Sequence, residues 1–232
     1  MLLEPSIADP SIASKRAAPY LIRWDVNSVC NLSCSHCCVG DKLRDDSIKD
    51  LNHEDFTRAL RNIAASGVQA VHFLGGEPTI RKDFLELLRI SNELGLITSF
   101  NTNGIRQDPR YLAAIFAYEV DKVVVSFDGY DATSHESIRG ERTFEKTLNF
   151  IRKLVAKRRE LGRKLPKIQI QTVLTAAIAS HVRRMVEFTS ELGADSLKFN
   201  HLAEFGDAAA NMDKLALDPQ TNFLALIELL DC

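Results

Sequence analysis

Residues 68–78 read VQAVHFLGGEP, and this stretch shows the pattern on which the chain is built. An apolar, β-branched run ends in two glycines and a proline, and residues 83–94 then carry the periodicity of a helix. A short apolar run closed by such turn residues is typical of a buried strand that leads directly into a helix.

The same alternation of strand and helix continues in both directions. The predicted strands are residues 21–26, 68–74, 97–101, 122–127, 168–174 and 196–200. The predicted helices are residues 53–66, 83–94, 109–118, 143–161, 180–192 and 219–230. This order predicts an α/β fold class, with βαβ units, a parallel sheet and right-handed crossovers.

Length and composition are those of an ordinary soluble domain. The 232 residues are 45% hydrophobic and 26% charged, with a net charge of −2 and a pI near 6.3, so no nucleic-acid partner is indicated. No apolar run is long enough to span a bilayer, and the N-terminus does not resemble a secretory signal. We expect a flexible lead-in at residues 1–19, one domain at residues 20–232 and a cytoplasmic location.

Three of the five cysteines form the most specific pattern: Cys30, Cys34 and Cys37 in the run CNLSCSHC. Thiolates at this spacing can converge on one metal centre, whereas a closed zinc or iron–sulfur site takes four ligands. The missing ligand indicates a coordination position left free for a small molecule. The short spacing excludes an ordinary two-disulfide framework, and thiolate ligands fit a reducing compartment.

Each remaining distinctive run stands where a predicted strand ends. The run GGEP at residues 75–78 follows the second strand, NTNG at 101–104 the third and SFDG at 126–129 the fourth. The cysteines follow the first strand. Because active sites of parallel α/β folds lie at the C-terminal ends of the strands, these runs predict one site at that edge.

Taken in order with HESIRG at residues 135–140, these motifs resemble the radical S-adenosylmethionine (SAM) superfamily over residues 20–206. The resemblance implies a partial (β/α)6 barrel with a parallel sheet; an eight-unit barrel usually needs a longer chain. The branch with CNLxCxHC, GGEP and SxDG motifs includes many peptide-modifying enzymes with a C-terminal SPASM or twitch extension. We expect that extension to be absent or cut away, with Cys232 either its first ligand or an inert thiol.

The resemblance also implies roles for individual residues. The three thiolates would hold three irons of a [4Fe–4S] cluster, and SAM would chelate the fourth. The GGEP run would meet the methionine amino group, Ser126 and Arg139 the carboxylate or ribose, and His36 would pack near the adenine. The residues expected to contact SAM are Gly75, Gly76, Glu77, Pro78, Asn103, Ser126, Asp128, Arg139 and His36.

The residues themselves leave other interpretations open. The glycines allow close approach of a ligand to the backbone, or they form an ordinary turn between strand and helix. Arg139 is either a ligand for a carboxylate or a surface cation paired with Glu136 or Glu141. The cysteines could instead hold zinc with His36 or His53. Cys38, next to Cys37, is expected to pack elsewhere.

The implied function is reductive cleavage of SAM to a 5′-deoxyadenosyl radical that takes hydrogen from a peptide, amino-acid or natural-product substrate. The electron would come from a donor such as flavodoxin or ferredoxin. Alternatives are a non-catalytic iron–sulfur electron carrier or sensor, a zinc-stabilised interaction domain, and a glycyl-radical activating enzyme.

Two further groups are candidates for partner contacts. His72 and His201 stand at or near strand ends and could face a substrate, although an ordinary core or surface histidine is the commoner case. Asn200 and His201 are the first candidates for substrate contact. A basic cluster is either a solvated helix face or a docking patch for an acidic electron donor. Its members are Arg152, Lys153, Lys157, Arg158, Arg159, Arg163, Lys164 and Lys167.

Overall fold

The computed structural model describes residues 18–230. All but two residues of the expected lead-in, and also Cys232, lie outside the described residues. The strands are β1 (Leu21–Asp25), β2 (Ala70–Leu74), β3 (Ile97–Thr102), β4 (Lys122–Ser126), β5 (Lys167–Val173) and β6 (Ser196–Asn200). Each lies within two residues of its predicted limits.

The six strands form one parallel sheet in the order β1-β2-β3-β4-β5-β6. Every neighbouring pair is parallel, and β1 pairs with β2 in a register that aligns Trp24 with Phe73. The described strands do not close the sheet, since β1 and β6 are its two edges. The predicted α/β class and partial (β/α)6 barrel are therefore confirmed.

The helices follow the strands as predicted, with additions. They are α1 (His53–Ala65), α2 (Phe84–Glu93), α3 (Pro109–Ala117), α4 (Ala132–Arg139), α5 (Phe144–Glu160), α6 (Val182–Leu192), α7 (Asp207–Ala210), α8 (Met212–Leu215) and α9 (Pro219–Leu230). The helix α4 and the short helices α7 and α8 were not expected. Short 3₁₀ turns occupy Lys42–Arg44, Pro78–Ile80 and Ala179–His181.

Local chemistry explains where α4 begins and ends. The Asp131 side chain accepts a hydrogen bond from the Ser134 N–H at 2.8 Å, which caps the first turn. Gly140, with φ of 94°, follows the last residue, Arg139. This capping pattern is a recognisable signal, so the helix could have been predicted from residues 131–140.

An aromatic core fixes the first helices against the sheet. Trp24 of β1 stacks on Phe56 of α1 at 3.9 Å between ring centroids, and Phe84 of α2 meets Phe73 and Phe100 edge to face. Phe56, Phe73, Phe84 and Phe100 are almost completely buried. Packing of this kind holds the strands rigidly and aligns their C-terminal ends at one edge.

No helix among residues 18–230 has the length and hydropathy needed to cross a membrane.

Candidate cofactor-binding site

The three cysteines lie on the loop that follows β1. Cys34 is buried, Cys30 and Cys37 are half-buried, and all three thiols are free. They line one side of a cavity of about 500 Å³ at the C-terminal ends of the strands. This volume falls within the range of small-molecule sites. Within the described part of the chain, no three His, Cys, Asp or Glu side chains are grouped closely enough to hold a metal ion.

Elements that follow β4 and β6 hold the cysteine loop in place. The Ser35 N–H donates to the Ile138 carbonyl of α4 at 2.9 Å. The Asp207 N–H, after β6, donates to the Cys37 carbonyl at 2.8 Å, and the Asn211 amide donates to the Ser35 carbonyl at 3.2 Å. The strands β1 and β6 do not pair with each other, so the barrel is open between them. The contacts of the cysteine loop with the segment after β6 close the site on this side.

The two glycines of GGEP allow the chain's own backbone to approach closely. A Cβ at Gly76 would lie 2.0 Å from the Val29 carbonyl oxygen, and one at Gly75 would lie 2.5 Å from the Asn27 carbonyl oxygen. The Gly76 N–H donates to that Asn27 oxygen at 3.0 Å. The observed reason for glycine is thus contact with the cysteine loop, in addition to the position of both glycines beside the cavity.

Glu77 is buried and satisfies four donors. Its carboxylate accepts hydrogen bonds from the Thr79 N–H at 3.2 Å and the Thr79 hydroxyl at 2.6 Å. The Thr102 hydroxyl at 2.8 Å and the Asn103 N–H at 2.7 Å complete the set. Burial raises the pKa of Glu77, and these donors oppose that shift. Its carboxylate therefore joins the end of β2 to the end of β3.

The Asn103 side chain is also engaged within the protein. Its amide nitrogen donates to the Asn31 side-chain oxygen of the cysteine loop at 2.8 Å, and its own oxygen accepts from the Ile105 N–H at 3.0 Å. Asn103 therefore positions the cysteine loop while it also borders the cavity.

Asp128 organises a buried charged network at the end of β4. One carboxylate oxygen accepts from His36 Nε2 at 2.7 Å and from Arg139 Nε at 2.5 Å. The other accepts from the Val173 N–H at 2.7 Å. Burial opposes ionisation of Asp128, but the Arg139 charge and the His36 contact hold its pKa well below its usual range. An ionised carboxylate only accepts, so His36 Nε2 carries a proton.

His36 Nδ1 is buried without a hydrogen-bond partner in the protein. In the neutral ring this nitrogen is an acceptor, because the proton is on Nε2. His36 lines the cavity, so the geometry leaves one polar position for a ligand with an N–H or O–H donor.

The Arg139 guanidinium lies between Asp128 and a cysteine. Its Nη1 is 3.9 Å from Cys34 Sγ, and the residue is only 9% exposed. The interpretation of Arg139 as a surface cation paired with Glu136 or Glu141 is therefore wrong. Glu136 instead caps the next helix by accepting from the Phe144 N–H at 3.1 Å.

Burial affects the acidity of the three thiols. It raises the pKa of Cys34 to about 11, and the nearby Arg139 charge acts in the opposite direction. Burial raises the pKa of Cys30 and Cys37 as well. A metal ligand must be a thiolate, so a metal that binds here would release protons from these thiols.

Almost all of the predicted site residues surround the same cavity. Those that line it are Cys30, Cys34, Cys37, His36, Gly75, Gly76, Glu77, Pro78, Asn103, Ser126 and Arg139. Asp128 does not: it is completely buried behind His36 and Arg139. Asn200 and His201 also line this cavity.

His72 does not line the cavity, in agreement with the interpretation of this residue as an ordinary core or surface histidine. Its ring nitrogens contact Ser99 Oγ at 2.7 Å and Asn101 Oδ1 at 2.8 Å, in the interior of the sheet. Burial lowers the pKa of His72. Because both nitrogens have partners, His72 is a satisfied core histidine.

Part of the basic cluster lies at the N-terminal ends of the strands. Arg158 pairs with Asp195, which immediately precedes β6, and Arg163 donates to the Phe116 carbonyl at the end of α3. Lys153 is placed differently, since its Nζ donates to the Gln107 side chain at 3.1 Å in the loop that follows β3. The members of the cluster therefore do not all lie at one end of the strands, and a docking role for them stays a prediction.

The zinc alternative does not fit the geometry. A single zinc ion brings two ligand sulfurs within roughly 4 Å of each other. Within the described residues no three His, Cys, Asp or Glu side chains are grouped in this way, and His53 is outside the cavity lining with its Nδ1 bonded to Asp83 at 2.9 Å. The three thiols instead border one cavity, where a larger cluster would offer each thiolate its own iron.

Comparison with known protein families matches residues 25–164 to the radical SAM superfamily. The chain belongs to this superfamily. It is 31% identical over 179 residues to the AdoMet-dependent heme synthase of Methanosarcina barkeri, an alignment that covers 76% of this chain and 49% of the relative. It is 30% identical over 210 residues to the PqqA peptide cyclase of Methylorubrum populi, covering 90% of this chain and 53% of the relative.

Solved structures share the fold of this superfamily member. The Streptococcus suis protein SuiB, in a crystal structure bound to SAM, superimposes with a TM-score of 0.74 at 20% identity. The match covers 93% of this chain and 48% of SuiB. The chain thus spans about half the length of the relatives that it matches.

Proposed function

We propose that the protein is a radical SAM enzyme that acts on a peptide, amino acid or natural product. The observation that carries this proposal is the convergence of Cys30, Cys34 and Cys37 with the GGEP run around one cavity. We assign residues 20–232 to one radical SAM core domain. Membership of the superfamily supports the class of enzyme.

The donor set fits a [4Fe–4S] cluster with one open iron. Three thiols line the cavity, and they do not form the compact grouping that a single ion requires. Three thiolates would leave one iron of the cluster without a protein ligand, and the amino and carboxylate groups of a SAM methionine would chelate it. Cys30, Cys34 and Cys37 would therefore hold the cluster.

The rest of the cavity fits SAM. Gly75 and Gly76 place bare backbone beside the cysteines, where the methionine ammonium group would find acceptors. Arg139 and Ser126 would meet the carboxylate or the ribose, and the unpartnered His36 Nδ1 would accept from a ligand donor. Asp128 acts indirectly, since it orients both His36 and Arg139 and does not itself reach the cavity.

When bound, the cluster and SAM together supply the 5′-deoxyadenosyl radical, with the electron coming from a flavodoxin or ferredoxin. The protein's task is to orient SAM and to exclude water around the radical. Half-buried apolar strand ends that border the cavity, such as Val173, suit that task. Asn200 and His201 line the same cavity and would contact the substrate.

The substrate class rests on the relatives. One is a PqqA peptide cyclase, and SuiB has been crystallised with a precursor peptide, SuiA. A peptide substrate is accordingly our first choice for this chain.

The decisive experiment is anaerobic reconstitution with iron and sulfide, followed by dithionite and SAM, with mass spectrometry for 5′-deoxyadenosine. We expect the product from the native protein and none from Cys34→Ala. Cys38→Ala is the matched control: contrary to the expectation that it packs elsewhere, Cys38 is exposed and borders the same cavity, but it falls outside the three-cysteine spacing. It should keep both iron and product.

The alternatives give different results. An iron–sulfur electron carrier would bind the cluster, but SAM would leave its electron paramagnetic resonance spectrum unchanged and no 5′-deoxyadenosine would appear. A glycyl-radical activating enzyme would yield the nucleoside and would also place a stable radical on a partner protein. Product formation by Cys34→Ala would contradict the ligand assignment.

A further inference from the structure

Arg139 and Cys34 form a buried contact that the assignment of SAM ligands does not explain. Arg139 Nη1 lies 3.9 Å from Cys34 Sγ, within reach of a hydrogen bond to sulfur. Both residues are at most 9% exposed, so solvent screens their interaction only weakly. The backbone of the neighbouring GGEP and SFDG runs carries no net charge, so it does not supply the positive charge that Arg139 brings to the Cys34 sulfur.

Asp128 fixes the direction in which the guanidinium points. It accepts from Arg139 Nε at 2.5 Å, and the Val173 N–H and His36 Nε2, each at 2.7 Å, hold the carboxylate itself. With Nε committed, the planar guanidinium directs Nη1 toward the sulfur. A salt bridge between Arg139 and Asp128 would not by itself require Nη1 to point toward the Cys34 sulfur.

Hydrogen bonds to ligand sulfurs and the local charge set the reduction potential of an iron–sulfur cluster. Reduction adds one electron, so a nearby positive charge stabilises the reduced state and a negative charge destabilises it. Here Arg139 supplies the positive charge at the Cys34 sulfur, and Asp128 supplies a compensating negative charge on the far side.

We propose that Arg139, oriented by Asp128, donates a charged hydrogen bond to the Cys34 sulfur and thereby sets the reduction potential of the cluster. Arg139 and Asp128 are positioning and tuning residues in this scheme. The inference rests on the proposed function, since it requires that Cys34 ligate a cluster. It adds a role that is independent of SAM.

The test is the cluster's midpoint potential, measured without SAM by a stepwise redox titration followed by electron paramagnetic resonance. The electron comes from dithionite through mediators. Arg139→Gln removes the positive charge and should lower the potential. Asp128→Asn removes the negative charge, keeps an oxygen for Arg139 and should raise the potential. General damage to the site would not move the two variants in opposite directions.

The chain offers a matched control pair. Arg158 and Asp195 also form an arginine–aspartate pair, and the Ile168 N–H donates to Asp195 at 2.7 Å, but this pair lies at the N-terminal ends of the strands. Arg158→Gln and Asp195→Asn should leave the midpoint potential unchanged. A comparable shift in these controls would overturn the proposal.

Shifts in the same direction, or no shift in either site variant, would also overturn it. If Arg139→Gln does not fold, the midpoint potentials of Asp128→Asn and Arg139→Lys are compared with that of the native protein instead. The lysine variant keeps the charge, so its potential should stay closer to the native value than that of Asp128→Asn. Failure of the native protein to take up a cluster would refute the proposed function, whereas a cluster with unmoved potentials would refute only this inference.

Discussion

Replacing Gly76 by alanine should push the cysteine loop out of its position. The added Cβ would lie 2.0 Å from the Val29 carbonyl oxygen, 2.3 Å from the Val29 carbonyl carbon and 2.9 Å from the Cys30 nitrogen. Ordinary contact begins at 3.4 Å, so Val29 must move by more than 1 Å. All three atoms belong to the backbone, which cannot avoid the methyl group by changing a rotamer.

The expected cost follows from these contacts. Overpacking in a close-packed region costs about 1–3 kcal/mol. Two hydrogen bonds cross the same contact, from the Gly76 N–H to the Asn27 carbonyl at 3.0 Å and from the Glu77 N–H to the Val29 carbonyl at 2.9 Å. Losing both adds about 1 kcal/mol each. We therefore expect the free energy of unfolding to fall by about 3–5 kcal/mol.

Denaturant unfolding followed by circular dichroism measures this loss, and iron content after anaerobic reconstitution measures the damage to the loop. Gly95→Ala is the matched control, because a Cβ there meets nothing within 4 Å and only the positive φ of 71° is strained. That strain costs about 1–2 kcal/mol. If Gly76→Ala were as stable as the control and bound as much iron, the steric reasoning would be refuted.

Two further predictions concern buried side chains. Burial, followed by the Arg139 charge, lowers the pKa of His135 from 6.5 to about 4. The unfolded state therefore binds the proton first as pH falls, and this residue should remove about 2 kcal/mol of stability between roughly pH 7.5 and pH 5. His135→Gln should flatten the pH dependence by that amount in urea titrations, and an unchanged slope would contradict the shift. Phe84→Ala opens a cavity among Phe73 and Phe100 and should cost about 3–5 kcal/mol, whereas a loss below about 1 kcal/mol would show that the core collapses around it.

Much of the fold was predictable because its units are local. Glycines just past α1, α2 and α6, namely Gly67, Gly95 and Gly193, have positive φ values of 85°, 71° and 75°, as a left-handed helix cap requires. The unexpected helix α4 overlaps the HESIRG run at residues 135–140, whose resemblance to a family motif does not itself indicate a helix. Its capping residues, Asp131 and Gly140, were sufficient to find it.

The candidate site was predictable as a location and less so as a set of contacts. Strand ends of a parallel sheet meet at one edge, so the cysteines, Gly75, Gly76 and Ser126 were expected together and line one cavity. Asp128 was expected to contact SAM and is instead buried behind that cavity. Whether a strand-end side chain points into a cavity or away from it depends on neighbouring strands, which the local pattern does not describe.

The sequence by itself determined the strand–helix order, the common edge and the spacing of the three cysteines, because each depends on residues a few positions apart. Only the tertiary structure decided the partners of the charged groups. Arg139 contacts Cys34, 105 positions away, and His36 contacts Asp128, 92 positions away. Such contacts arise when loops from distant strands meet at one edge of the sheet. No local propensity encodes which of several nearby acids a buried cation will choose.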